Sequence, residues 1–165
     1  MQELIAQLEK QIENPRNGLP EEVFLLLTRL TPMINVDLLI KNEHGHTLLT
    51  WREDEHHGKG WHIPGGIIRF QETPEERIQQ VAKTELNAEV IAEATPCAIH
   101  SFIVPEQRNR SHFISLLYRC RLCANLPPQM KCEQPQPGEC RWFSSAPRDL
   151  LPVHAAYQSY IEGGK

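Results

Sequence analysis

Gly65-Gly66-Ile67-Ile68-Arg69-Phe70-Gln71-Glu72 runs straight into Thr73-Pro74-Glu75-Glu76 and on to Thr84-Glu85-Leu86. A glycine pair closes a strand, a polar loop follows, and a helix starts. Thr73 supplies a side-chain oxygen for the exposed amides, Pro74 suits the first helical position, and Glu75 and Glu76 face the positive end of the dipole. The spacing predicts a helix from Thr73 to about Leu86 with Glu85 deep in it. Just upstream, Trp61-His62-Ile63-Pro64 reads as a short strand interrupted by Pro64 and the glycines.

Outward from this segment, Met33 to Ile40 is rich in strand formers, Asn42-Glu43-His44-Gly45 is a turn, and Thr47 to Trp51 resumes as a strand. Together they read as a hairpin, followed by a charged loop from Glu53 to Gly60. Glu89 to Val104 and His112 to Cys123 read as two long strands around the polar loop Pro105 to Ser111. A Pro/Gln-rich connection, Pro127 to Gly138, leads to a short strand, Cys140-Arg141-Trp142-Phe143, and Leu150 to Ile161 reads as a closing helix. At the other end Leu4, Ile5, Leu8 and Ile12 fall at helical spacing, and after Asn14 to Gly18 a second apolar helix runs from Leu19 to Leu30. Strands mixed with a few helices, without regular alternation, predict an α+β fold with a mixed-sheet sandwich. Residues 1–18 are expected to form a helical extension and residues 19–165 a single domain.

The composition excludes several classes. A chain of 165 residues with 40% hydrophobic and 23% charged side chains matches a globular domain, and no apolar run approaches the ~20 residues needed to span a bilayer. With 17 basic against 21 acidic residues the net charge is −4, so no global positive field is available for a nucleic-acid polymer. Met1-Gln2-Glu3-Leu4 carries acid where a secretory peptide needs base, which leads to the expectation of a cytoplasmic protein with reduced thiols. Cys120, Cys123, Cys132 and Cys140 raise a zinc site. However, Tyr118 to Cys123 reads as a strand in which Cys120 and Cys123 face opposite ways, with no turn residue between them. Asp54-Glu55-His56-His57 could also suggest metal, but acid–histidine loops are common on surfaces.

The segment from Gly65 to Leu86 resembles the signature of the Nudix hydrolases, whose helix presents carboxylates that hold divalent metal against a nucleoside diphosphate. Such a substrate concentrates negative charge that oxygen-bound metal neutralises. Gly66 and Glu72 fit the family pattern, whereas Gln80-Val81 replaces Arg-Glu, Thr84-Glu85 replaces Glu-Glu, and Asn87 replaces the terminal glycine. Positions 81, 84 and 85 share a helix face. With Val81 and Thr84 in place of acids, that face keeps Glu85 and the means to hold one Mg²⁺ or Mn²⁺.

This thinned signature is similar to the GDP-mannose mannosyl hydrolase branch, in register from about Leu19 to Ile161. Matching positions include Thr31-Pro32, Asp37, Arg52, Trp61, Pro64-Gly65-Gly66, His112, Arg141-Trp142 and Val153-His154-Ala155. The resemblance implies hydrolysis of a nucleoside diphosphate sugar at sugar C1, with one metal held by the Gly65 carbonyl, Glu85 and Gln136. It implies a diphosphate contact by Arg52, a nucleoside contact by Phe24, and a place in the site for Asp37. The branch's general-base histidine falls on Pro137, the arginine after its glycine pair on Ile67, and its active-site tyrosine on Phe113. His112 is therefore the first candidate for the base, ahead of His100 and Asp37.

Glu72, at the end of the loop, is read as organising that turn through backbone hydrogen bonds, and Asp37 as an acid whose apolar strand demands partners. The apolar stripe of the N-terminal helix is read as packing or dimer surface, so a homodimer is the expected assembly. Two further functions stay open at this point: a diphosphatase attacking phosphorus, and a nucleotide-sugar binding protein without turnover. Glu85→Gln is expected to weaken divalent-metal binding and activity far more than Glu75→Gln or Glu76→Gln. First-turn acids contribute only ~0.3–1 kcal/mol each to the helix end. Metal titration and turnover of the three variants check this, and equal losses would remove Glu85 from the metal site.

Overall fold

Val36, Leu38, Leu39 and Ile40 are each fully buried, so the strand Met33–Ile40 (β1) carries apolar side chains into both of its faces. Such strands suit parallel pairing with cover on either side. β1 lies parallel to His112–Leu122 (β7), from Met33 opposite Phe113 to Ile40 opposite Cys120, and antiparallel to Gly65–Ile67 (β4). The computed structural model describes residues 1–54, 58–126 and 134–163.

Two sheets make up the described strands. In the larger, β4 and β7 flank β1, and the far edge of β7 takes Val90–Ala92 (β5) and Ala98–Ile103 (β6) end to end, both antiparallel. The smaller pairs Thr47–Asp54 (β2) with Gly58–His62 (β3) on one side and Cys140–Phe143 (β8) on the other. Helices are Gln2–Glu9 (α1), Glu21–Thr28 (α2), Pro74–Leu86 (α3) and Gln158–Ile161 (α4). One core lies under α3, where Ile78, Val81, Ala82 and Leu86 meet Val36, Leu38 and Ile40. The other joins Leu39 and Leu117 to Leu49, Trp51, Trp61 and the C-terminal Tyr157 and Ile161. Burying each such side chain stabilises by ~1.5–3 kcal/mol, so β1 is anchored from both sides. This is an α+β sandwich of mixed sheets flanked by helices.

Several sequence expectations change. β1 and β2 are consecutive but diverge into different sheets after a single bridge, Lys41 to Thr47, because the two-sided burial of β1 demands neighbours that β2 does not provide. The long strand expected over Glu89 to Val104 breaks between Ala92 and Ala98, at a stretch containing Pro96, although Glu93 and Cys97 still donate to β7 carbonyls. Glu53 and Asp54, expected in a loop, instead extend β2 and pair with Lys59 and Gly58 of β3. The closing helix is a 3-10 segment, Pro152–Tyr157, before α4. The N-terminal helix ends at Glu9 and buries none of its side chains, leaving Leu4 and Ile5 exposed.

Cys120 is buried and Cys123 exposed, as alternation requires, and burial pushes the Cys120 thiol up to about 12, which opposes a thiolate ligand. Cys132 lies outside the described residues, as do Glu55, His56 and His57. Among the described residues no helix is long and apolar enough to cross a membrane.

α3 starts with a full capping box, Thr73 accepting from the Glu76 amide and Glu76 accepting from the Thr73 amide, and ends on Asn87 at φ 49°. Asn tolerates this left-handed geometry better than other side chains that carry a Cβ, so the helix stops without glycine. α3 also lies directly on the glycine pair: a Cβ at Gly66 would approach Val81 Cγ2 to 2.8 Å. Gly66→Ala is expected to destabilise by ~1–3 kcal/mol through overpacking. Adding Val81→Ala should recover part of that loss, so urea unfolding of the double variant should fall clearly short of the summed single effects.

Candidate active site

A cleft of about 550 Å³ opens beside the glycine pair, bordered by α2, β1, β4 and the C-terminal 3-10 segment. Phe24, Asn35, Asp37, Arg52, His62, Gly65, Gly66 and His154 are among its lining residues, as are Arg69, Arg77 and Arg110. The structure therefore brings Phe24, Asp37, Arg52 and Gly65 together from sequence-distant elements.

Asp37 is almost fully buried on the face of β1 opposite α3. Its Oδ2 accepts from the Ser115 and Tyr157 hydroxyls, each at 2.5 Å, and its Oδ1 accepts from the Asn35 amide at 2.9 Å. Burial raises this carboxyl above the usual aspartate range, while the two hydroxyls, the charge of His62 and the Asn35 amide pull it back. Asp37 Oδ1 also presses on the Cα of Gly65, where a Cβ would collide with it. A glycine is thus required wherever β4 crosses the acid.

Glu85 is not itself in the cleft wall but contacts two residues that are, Gly65 and His62. Its Oε1 accepts from the Gly65 amide at 3.3 Å, its Oε2 accepts from the Thr50 hydroxyl at 3.3 Å, and His62 Nε2 lies 3.5 Å away. The His62 ring is oriented from its other nitrogen, since Nδ1 sits 2.9 Å from the Thr50 carbonyl, which can only accept. His154 has the opposite arrangement: its Nδ1 accepts from the Ile63 amide at 3.1 Å, which leaves the ring proton of the neutral form on Nε2. On the same helix face Val81 is buried and the Thr84 hydroxyl donates to the Gln80 carbonyl at 2.8 Å. One carboxylate on this helix face suits a single hard cation and not a cluster. Among the described residues no group of three or more His, Cys, Asp or Glu side chains is gathered as a metal cage.

Other expected site residues fall elsewhere. Gln136 is exposed, donates its side-chain amide to the Gln134 carbonyl at 3.3 Å, and is not among the cleft residues. His112 and His100 are likewise absent from the cleft wall. Alternation along β7 sends Phe113 and Ser115 toward Asp37 and turns His112 away, where its ring meets the Ser101 hydroxyl at 3.3 Å. His100 packs against Phe102, Tyr157 and Tyr160. Glu72 does organise its loop: Oε2 accepts from the Arg69 amide at 2.8 Å and pairs with Arg77 at 2.7 Å.

Two cleft residues, His62 and Arg110, and the buried Asp37 partner Tyr157 escaped the sequence reading. His62 was visible only as part of a short strand, Arg110 as part of a polar loop, and Tyr157 as a helix residue. None lies in a local pattern, and only the tertiary fold brings them to the site.

With this geometry in place, the chain's relatives can be named. Residues 31–159 match the NUDIX domain family. The chain belongs to that family. It is 31% identical over 90 residues to the low-salt glycan biosynthesis protein Agl8 of Haloferax volcanii, a match that takes in 54% of this chain and 57% of that one. The chain thus spans little more than half the length of this curated relative. Among solved structures, the MutT NUDIX hydrolase of Burkholderia pseudomallei superposes with a TM-score of 0.62 at 18% identity, covering 81% of this chain and 97% of that one. A UDP-X diphosphatase superposes with a TM-score of 0.58 at 17% identity, covering 98% and 76% respectively. These likenesses are to the fold. Nudix hydrolases generally use divalent metals and act on small nucleotide substrates, and the single-carboxylate face of α3 fits one such ion.

Tyr157→Phe is expected to raise the Asp37 carboxyl further, because a hydrogen bond to the charged form is lost, and to cost ~1–3 kcal/mol of stability. Carboxyl-carbon NMR titration of Asp37 in the two proteins checks the direction, and a downward shift would contradict the assigned network.

Proposed function

We propose that this Nudix hydrolase cleaves a nucleoside diphosphate sugar, of the GDP-mannose type, into nucleoside diphosphate and free sugar by attack at sugar C1. The observation that carries the reading is the helix face with Glu85 as its one acid, set beside a cleft lined by Arg52, Arg69, Arg77 and Arg110. The chain has net charge −4, yet its cleft wall gathers four arginines against Glu21 and Asp37. Concentrated cationic side chains in a partly apolar cleft favour a polyanion such as a diphosphate. The resemblance of the thinned signature to the mannosyl hydrolase branch, and a relative named for glycan biosynthesis, support a sugar as the other half.

Attack at phosphorus asks a site to stabilise charge on the transferring group, which multi-carboxylate sites do with several metals. Attack at C1 leaves an intact diphosphate as leaving group and asks only that its charge be met. Glu85 and the Gly65 carbonyl would hold a divalent cation that would supply that compensation, whereas Gln136, the third ligand implied by the family branch, lies exposed outside the cleft wall. Arg52, paired with Asp54 at 3.0 Å, binds the diphosphate, and Phe24 offers its ring to the nucleoside. For the base, Asp37 replaces His112 as first candidate. It lines the cleft, burial raises its carboxyl above the usual aspartate range, and among the described residues Oδ1 accepts a single hydrogen bond, from Asn35. His62 Nε2 is directed at Glu85, and His154 Nε2 holds a proton, so each suits binding or orientation better than proton abstraction.

Incubating nucleotide sugars with the protein and Mg²⁺ or Mn²⁺ in ¹⁸O-water should give unlabelled nucleoside diphosphate and labelled sugar. Label in nucleoside monophosphate or sugar phosphate would establish attack at phosphorus, and binding without turnover would identify a sensor. Asp37→Asn should lower turnover by about 10²-fold or more, the scale of general-base contributions, while His112→Gln should retain it within a few fold.

A further inference from the structure

The family branch places an arginine directly after the glycine pair, where this chain has Ile67, and β4 offers no other cation there. We propose that Arg110, from the loop between β6 and β7, binds the diphosphate together with Arg52. The inference rests on the nucleoside diphosphate reading of the cleft and adds a residue that neither the signature nor its register contains.

The loop is fixed to α2 at two consecutive residues. Arg29 donates to the Asn109 side-chain oxygen at 2.8 Å, and the Arg110 amide donates to the Thr28 hydroxyl at 3.1 Å. Thr28 is buried and passes its own proton to the Leu25 carbonyl, so this anchor cannot rotate away. Phe24 lies four residues before Thr28 on the same helix face, and the Arg110 guanidinium sits over its ring at 5.5 Å. Arg110 adopts φ 54°, a left-handed conformation that is costly for a side-chain-bearing residue and is retained where the surroundings over-determine it.

What the guanidinium lacks is an anion. Its Nε is buried without a hydrogen-bond partner among the described residues. Among the described residues Arg110 has no ion pair within bonding distance, unlike Arg52 with Asp54 and Arg77 with Glu72. Burial lowers its pKa, and the neighbouring Arg52 charge lowers it further, against weaker support from Asp54 and Glu21. Two guanidiniums that line one cleft and repel each other, one of them partly desolvated with an unpartnered Nε, are stabilised together by a ligand bearing two negative phosphates.

The test compares full-length wild type, Arg110→Gln, Arg110→Lys and Arg110→Gln/Ile67→Arg, all with Mg²⁺, by calorimetry against guanosine, GMP and GDP, with UDP and ADP as alternative bases. Arg110→Gln should weaken nucleoside diphosphate binding at least tenfold, monophosphate binding about threefold or less and nucleoside binding negligibly, and should flatten the salt dependence. Arg110→Lys should retain part of the affinity, and adding Ile67→Arg should restore most of it, which also rules out misfolding as the cause. An unchanged diphosphate affinity, or an equal loss for guanosine, overturns the assignment while leaving the substrate reading intact. Failure of the wild type to bind any nucleoside diphosphate overturns both.

Discussion

Two missing β-carbons hold this structure together. Gly65 and Gly66 let β4 pass between the Asp37 carboxylate and Val36 on one side and the Val81 side chain of α3 on the other, at separations no larger residue could occupy. That passage sets the distance between α3 and the larger sheet, and so brings Glu85 within reach of the Gly65 amide and His62. The same closeness explains why position 81 can be valine. In this chain the helix face against the glycines is used for packing, and the chemistry is concentrated in one carboxylate further along.

The cleft is an electrostatic compromise in a protein of net negative charge. Glu72 and Asp54 each take one arginine and fix it in place, so Arg77 and Arg52 are positioned before any ligand arrives. Asp37 sits among hydroxyls that stabilise its ionised form, while its burial works against ionisation. Preorganised charge in a partly dry cleft interacts more strongly with a ligand than the same charge in water, and pays no reorganisation when the ligand binds.

Local signals made the α3 start, its N-cap and the role of Glu72 readable, because capping chemistry depends on residues three or four apart. The α+β class and most strand positions followed from composition and alternation. What could not be read was pairing. The apparent hairpin of β1 and β2 separates because burial on both faces, not chain adjacency, decides the neighbours of β1. The same blindness moved the candidate base: His112 and Phe113 differ by one residue, and only the register of β7 against β1 decides which of them faces Asp37. Arg110 and Tyr157 carry no local mark at all, since their meaning comes from α2 and Asp37, which are remote in sequence.

The hydroxyl contacts on Asp37 have one more implication, for the order in which the molecule is made. Ser115 is 78 residues and Tyr157 120 residues downstream of the acid they hold. Closing such long loops is entropically slow, and the parallel β1–β7 ladder cannot form until β7 exists. During synthesis the first strands must therefore leave the ribosome with a buried-type aspartate still unpartnered and an apolar surface uncovered. The cleft is completed only when the C-terminal 3-10 segment docks. Until β7 and the 3-10 segment have emerged that apolar surface is open to wrong contacts, and the capacity to bind ligand should appear only once both are in place.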